Sequence, residues 1–128
     1  MASPVKVLLV EDTRVDAMVL SAMLRKLHCE ITMAMNGKES VDLFIEGRKF
    51  DIVFCDKDMP IMSGPEAVEK IRAMGESDVK IFGISSNNNA QEVFMSAGAD
   101  VFVPKPMKFD VLEAMIHELI NKKNNTMV

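Results

Sequence analysis

The 128-residue sequence contains no tryptophan and no tyrosine, which leaves seven phenylalanines as its only aromatic side chains. Cysteine is scarce too. Cys29 and Cys55 form no C-x-x-C pair and have no histidine at metal spacing, which argues against a disulfide framework or a zinc site and leaves two free thiols. A basic surplus is also missing: 15 Lys and Arg stand against 19 Asp and Glu, for a net charge of -4. No broad cationic surface is left for nucleic-acid phosphates, so a protein partner is expected instead. No apolar run approaches the roughly 18 residues of a membrane span. The Met1-Ala2-Ser3-Pro4 start lacks the charged, apolar and cleavage regions of a signal peptide. Together these absences predict a monomeric cytoplasmic protein, with the nucleus as a second compartment. Internal repeats and low-complexity tracts are absent as well.

What is present reads as a folded protein. A composition of 48% hydrophobic and 27% charged residues argues against disorder. The length fits a single domain spanning 1–128, with a core from about 5 to 120 and a polar tail, 121–128, expected to fray. The Met1 start and the short tail are expected of a naturally short protein. The twelve methionines are spread along the chain, which predicts flexible core filler rather than a recognition surface.

Short runs of Val, Ile and Phe alternate with longer segments of helical period, the pattern of an α/β domain with a parallel sheet. Strands are expected at Val5 to Val10, Glu30 to Ala34, Ile52 to Cys55, Lys80 to Ile84 and Val101 to Val103. The first, third and fourth are nearly all apolar, as befits strands covered on both faces. Helices are expected to begin near Arg14, Lys38, Ser63, Asn89 and Lys108. Ser63-Gly64-Pro65-Glu66 is a capping box with proline in the first turn, and Val68, Ile71 and Met74 follow at helical spacing before Gly75 ends the run. The last helix places Phe109, Leu112, Met115, Ile116, Leu119 and Ile120 on one stripe.

Five β/α pairs with short connections fit a doubly wound sheet with helices on both faces, whose sites lie outside the carboxyl ends of the strands. Those ends carry Glu11-Asp12, Asp56, Ser85 and Lys105. Taken singly, each has an ordinary explanation: an acid after a strand caps a helix, a serine sits in a loop, a lysine is solvated. Four strand ends bearing complementary chemistry form a site. Two unit charges about 4 Å apart repel by roughly 4 kcal/mol at an effective dielectric near 20, so the three acids need compensation. Lys105 supplies one positive charge. A hard divalent cation with oxygen ligands, Mg²⁺ or Mn²⁺, supplies the rest, with Asp12 and Asp56 as direct ligands and Glu11 acting through water. Asp56 then serves as an oxygen nucleophile whose product is an acyl phosphate, with Lys105 and the Ser85 hydroxyl offsetting charge on the phosphoryl oxygens.

The residues also carry a resemblance. Val7-Leu8-Leu9-Val10-Glu11-Asp12, the run from Asp56 to Gly64 with its D-x-x-M-P-x-M-x-G pattern, Ile84-Ser85-Ser86, Ala97-Gly98-Ala99 and Lys105-Pro106 resemble the response-regulator receiver family of two-component phosphorelays over roughly residues 5 to 120. That resemblance implies the strand order 2-1-3-4-5. It implies Asp56 as phosphoacceptor, Glu11 and Asp12 as the acidic pair for Mg²⁺, and the Asp58 backbone carbonyl as a further metal ligand. It also implies Ser85 as the switch hydroxyl, Phe102 as the switch aromatic, Lys105 as the family's lysine and Pro106 as a cis proline. The implied partner is a histidine phosphotransfer protein or a histidine kinase, and the implied role is a phosphoacceptor signalling domain rather than a turnover enzyme. Ala67, Gly83 to Ser86 and Phe94 to Gly98 resemble the short plant type-C regulators of cytokinin-type phosphorelays. Such a chain is a phosphate sink, a shuttle or a stand-alone switch.

There are departures. Glu11 stands where aspartate is commoner, Ser85 where threonine is frequent, and Phe102 lacks the hydroxyl of the often-seen tyrosine, so a plain core aromatic is the alternative for Phe102. Two other classes compete. The D-x-D of Asp56-Lys57-Asp58 suits a haloacid-dehalogenase-like phosphatase, although no acidic metal motif follows Lys105 outside a helix. A pseudo-receiver binding module would not need all five groups.

Overall fold

The computed structural model describes residues 3–126. Along the chain run β1 (Lys6–Val10), α1 (Arg14–Lys26), β2 (Glu30–Ala34), α2 (Gly37–Ile45), β3 (Ile52–Asp56), α3 (Gly64–Ala73), β4 (Lys80–Ser85), α4 (Ala90–Ala97), β5 (Val101–Pro104) and α5 (Phe109–Thr126). All neighbouring strands are parallel, in the order β2-β1-β3-β4-β5. The sheet is the one the sequence predicts, and every strand begins within a residue of its expected position.

Side chains of a strand alternate between faces, and the central strands use both. Leu8 and Val10 of β1, Val53 and Cys55 of β3 and Ile81 of β4 face Val41 and Phe44 of α2, Val68 and Ile71 of α3 and Phe94 of α4. Val7, Leu9, Ile52, Phe54, Phe82 and Ile84 face Leu20 and Leu24 of α1 and Leu112 and Ile116 of α5. Each of these large side chains contributes about 1.5–3 kcal/mol on leaving water. Edge strands β2 and β5 are only partly buried, which fits their mixed sequences.

Local signals place the helix starts. Ser63 caps α3 by accepting the Glu66 N–H, and Asn36 caps α2 by accepting the Glu39 N–H. Gly64 is required by contact: a Cβ there would lie within bonding distance of the Asp56 carbonyl oxygen. Helix α3 therefore starts hard against the end of β3.

Three expectations need correction. Helix α5 does not stop near Ile120 but continues to Thr126, because 121–126 holds neither Gly nor Pro; the last two residues of the expected tail, 127–128, lie outside the described residues. No described methionine belongs to the buried core. Met18, Met33, Met35, Met74 and Met95 are exposed, while Met23, Met59, Met62, Met107 and Met115 pack only at its margin, where an unbranched side chain reaches from the rim. Met74 caps α3 rather than continuing its buried stripe, and Phe109 lies at the exposed start of α5 beneath the Lys26 ammonium.

Candidate functional site

In the order β2-β1-β3-β4-β5 the chain reverses direction across the sheet between β1 and β3, and the crevice outside their carboxyl ends is where a doubly wound fold places its ligand. The β1–β3 register aligns Val10 with Cys55, so Glu11 and Asp56 leave the two strands side by side. Glu11 is 1% exposed and Asp56 8% exposed. One carboxylate oxygen from each of Glu11, Asp12 and Asp56 lies within 4.8 Å of the others. Neither Asp12 nor Asp56 caps a helix: Thr13 and Ser63 occupy those positions.

Lys105 enters from the end of β5, its backbone N–H donating to the Ser85 carbonyl at 2.9 Å. Its Nζ lies 3.0 Å from Glu11 Oε2, 3.1 Å from Asp56 Oδ1 and 2.9 Å from Asp16 Oδ2. Burial alone would lower the lysine pKa, yet hydrogen bonds to Asp16, Glu11 and Asp56 outweigh it and raise the ammonium above its ordinary range. Burial pushes the Glu11 carboxyl up, against the pull of Lys105 and of the Thr13 N–H, which donates to Glu11 Oε1 at 3.1 Å. Three carboxylates thus meet one ammonium with a fourth, Asp12, beside them, and the donor set is all oxygen. Such a set fits a hard divalent cation, which would offset the charge that Lys105 leaves.

The remaining sequence-predicted residues are placed around this cluster rather than in it. The Ser85 hydroxyl, 5% exposed, accepts the Asn87 N–H at 3.1 Å. Phe102 is half-buried, packed against the core face of α2, α3 and α4, with its ring centroid 6.3 Å from that of Phe94. The Asp58 side chain points outward and pairs with Lys57 at 3.3 Å. The Lys105–Pro106 peptide bond is cis. Ile61, in the loop after β3, has φ 71° and is 75% exposed. A β-branched residue in the left-handed region costs about 1–3 kcal/mol, strain carried here by the loop between β3 and α3.

Asp16 is the residue that the sequence reading misses. In a helix's first turn an acid reads as a complement to the helix dipole, which hides any other task. Only the fold, by bringing Lys105 from the end of β5 to within 2.9 Å, reveals its other partner.

Residues 7–117 match the response regulator receiver domain family. The two-component response regulator ORR42 of Oryza sativa subsp. japonica is 52% identical over 124 residues, covering 97% of this chain and 93% of that protein. Among solved structures, the receiver domain of Ssk1, crystallised with the Saccharomyces cerevisiae histidine phosphotransfer signalling protein Ypd1, superposes with a TM-score of 0.83 at 25% identity, covering 93% of this chain and 90% of that one. The receiver domain of the sensor histidine kinase PA1611 from Pseudomonas aeruginosa PAO1, with a magnesium ion in its active-site cleft, gives 0.82 at 28% identity, covering 93% and 99%. These similarities displace the haloacid-dehalogenase alternative, and with a match over most of its length the chain belongs to the receiver domain family of two-component response regulators.

Proposed function

We propose that this chain accepts a phosphoryl group on Asp56 from the phosphohistidine of a histidine phosphotransfer protein or histidine kinase. An Asp56 carboxylate oxygen forms the new O–P bond as the N–P bond of the donor breaks. The departing imidazole nitrogen keeps the bonding pair and regains a proton from solvent. The observation that carries this reading is the convergence of Glu11, Asp12, Asp56 and Lys105 from three strand ends onto one oxygen-rich crevice. Glu11, Asp12 and Asp56, with the Asp58 backbone carbonyl, would hold Mg²⁺ or Mn²⁺, which neutralises charge on the phosphoryl oxygens. Lys105 adds a positive charge there. The Ser85 hydroxyl leaves the Asn87 N–H to donate to a phosphoryl oxygen, and Phe102 follows as the switch aromatic.

A protein donor is supported by the surface beside the crevice. Val15, Met18 and Val19 of α1 are all exposed, an apolar face of the kind that marks protein contact. The Ssk1 receiver is paired with a phosphotransfer protein, and the PA1611 receiver holds magnesium in its cleft. Among the described residues no helix is long and apolar enough to cross a membrane. The role is signalling in the cytoplasm or nucleus, in a cytokinin-type relay, as a sink, shuttle or stand-alone switch. The lifetime of the acyl phosphate separates the sink from the switch.

The test is incubation with acetyl phosphate and Mg²⁺ followed by intact mass. The expected result is one added phosphoryl group, absent when the metal is chelated before the donor is added and absent in Asp56→Asn. A gain that survives Asp56→Asn, or no gain at all, overturns the proposal.

A further inference from the structure

Asp16 makes the shortest of the three contacts to Lys105 and takes no part in the chemistry proposed for Asp56. A lysine ammonium has three N–H donors and no acceptor. Glu11 and Asp16 each accept one of them, while Asp56 stands 3.1 Å away as an ion pair. The walls beside the ammonium are apolar, formed by Val19, Leu20, Met23, Ile84 and Met107. A donor released from Asp16 therefore meets no side-chain acceptor there other than the carboxylates of Glu11, Asp12 and Asp56 or whatever Asp56 carries.

We infer that Asp16 is a positioning residue for Lys105: it draws the ammonium toward α1 and so sets how much of the lysine's charge reaches the metal ligands and the phosphoryl group. The inference rests on the reading of Asp56 as phosphoacceptor. Two effects of opposite sign follow. Without the Asp16 carboxylate, Lys105 binds Glu11 and Asp56 more fully and competes better with a divalent cation. An anion on Asp56, by contrast, gains the released donor. A site that is merely loosened would bind both ligands less well.

Isothermal titration suits the test, since the chain has no Trp or Tyr to report binding. The probes are Mg²⁺ alone, then beryllofluoride as a phosphoryl analogue at saturating Mg²⁺. For Asp16→Asn the Mg²⁺ dissociation constant is expected to rise, and that for beryllofluoride to fall, each by about three- to fivefold, the scale of a half-exposed charge pair. Asp16→Glu should restore both toward wild type. In a Lys105→Met background, which keeps every carboxylate and so still binds Mg²⁺, Asp16→Asn should leave Mg²⁺ affinity almost unchanged, because the residue acts through the lysine. The inference falls if both constants move the same way, if neither moves, or if the Mg²⁺ effect persists in full without Lys105. Wild-type protein that binds Mg²⁺ but takes up no beryllofluoride would sink the phosphoacceptor reading itself, and this inference with it.

Discussion

At the amino ends of β4 and β5, Arg72 donates to the carbonyls of Gly98, Glu76 and Val79 at 2.8–2.9 Å and to Asp100 Oδ2 at 2.8 Å, and that same oxygen accepts the Ile81 N–H. At the carboxyl ends Lys105 contacts three carboxylates and a fourth, Asp12, stands beside them. Both cations are mostly buried. Arg72 balances one acid and gives three further donors to backbone carbonyls, so its surroundings are balanced in charge. Lys105 is outnumbered, and its surroundings are complete only when more positive charge arrives. A fold that satisfies its polar groups at one end and leaves surplus charge at the other marks the second end as the place where something binds.

The contrast can be broken first by removing each cation. Arg72→Met strands three carbonyls and a carboxylate, and unfolding in urea should show a loss of about 2–4 kcal/mol that Mg²⁺ does not recover. Lys105→Met should lose about 1–3 kcal/mol without metal, and saturating Mg²⁺ should close most of that gap. Equal recovery at both ends would erase the distinction. A smaller effect comes from relieving repulsion. Asp56→Asn should stabilise the metal-free protein by about 1 kcal/mol and gain less from Mg²⁺ in a thermal melt than wild type does.

The smallest effect concerns Cys29, just before β2 at the amino ends of the strands. Burial pushes its thiol up to about 11. The folded value lies above the ordinary 9.0, so the neutral thiol favours the fold below about pH 9, and that contribution disappears as the pH rises through about 11. Alkylation of Cys29, followed by mass, should climb across that window. Cys55 should lag behind, because burial and then the charges of Asp56 and Glu11 push its thiol higher still.

The strands were legible because buried parallel strands are written as apolar runs, and their ends because acids, serine and lysine interrupt those runs. The four groups of the crevice could be named for the same reason. Asp16 was hidden because a helix-start acid already has a local explanation, and only the tertiary path of Lys105 gives it another. The Arg72 clamp was equally invisible, since its acceptors are mostly backbone carbonyls that no side chain announces. Methionine misled through its chemistry: it is apolar wherever it sits, and here its flexibility serves the rim. The polar stretch 121–126 read as a tail because charge and amide groups resemble linkers, yet without a stop residue a helix simply continues.

Glu11 and Lys105 are 94 residues apart. A chain emerging from its N-terminus makes β1 and β3 long before β5, so the acids can be brought together while the lysine that tempers them is still unmade. Until β5 docks, the half-built sheet carries its own repulsion at the edge. Under the proposed metal site, a divalent cation would relieve that repulsion first and so take part in the order of assembly.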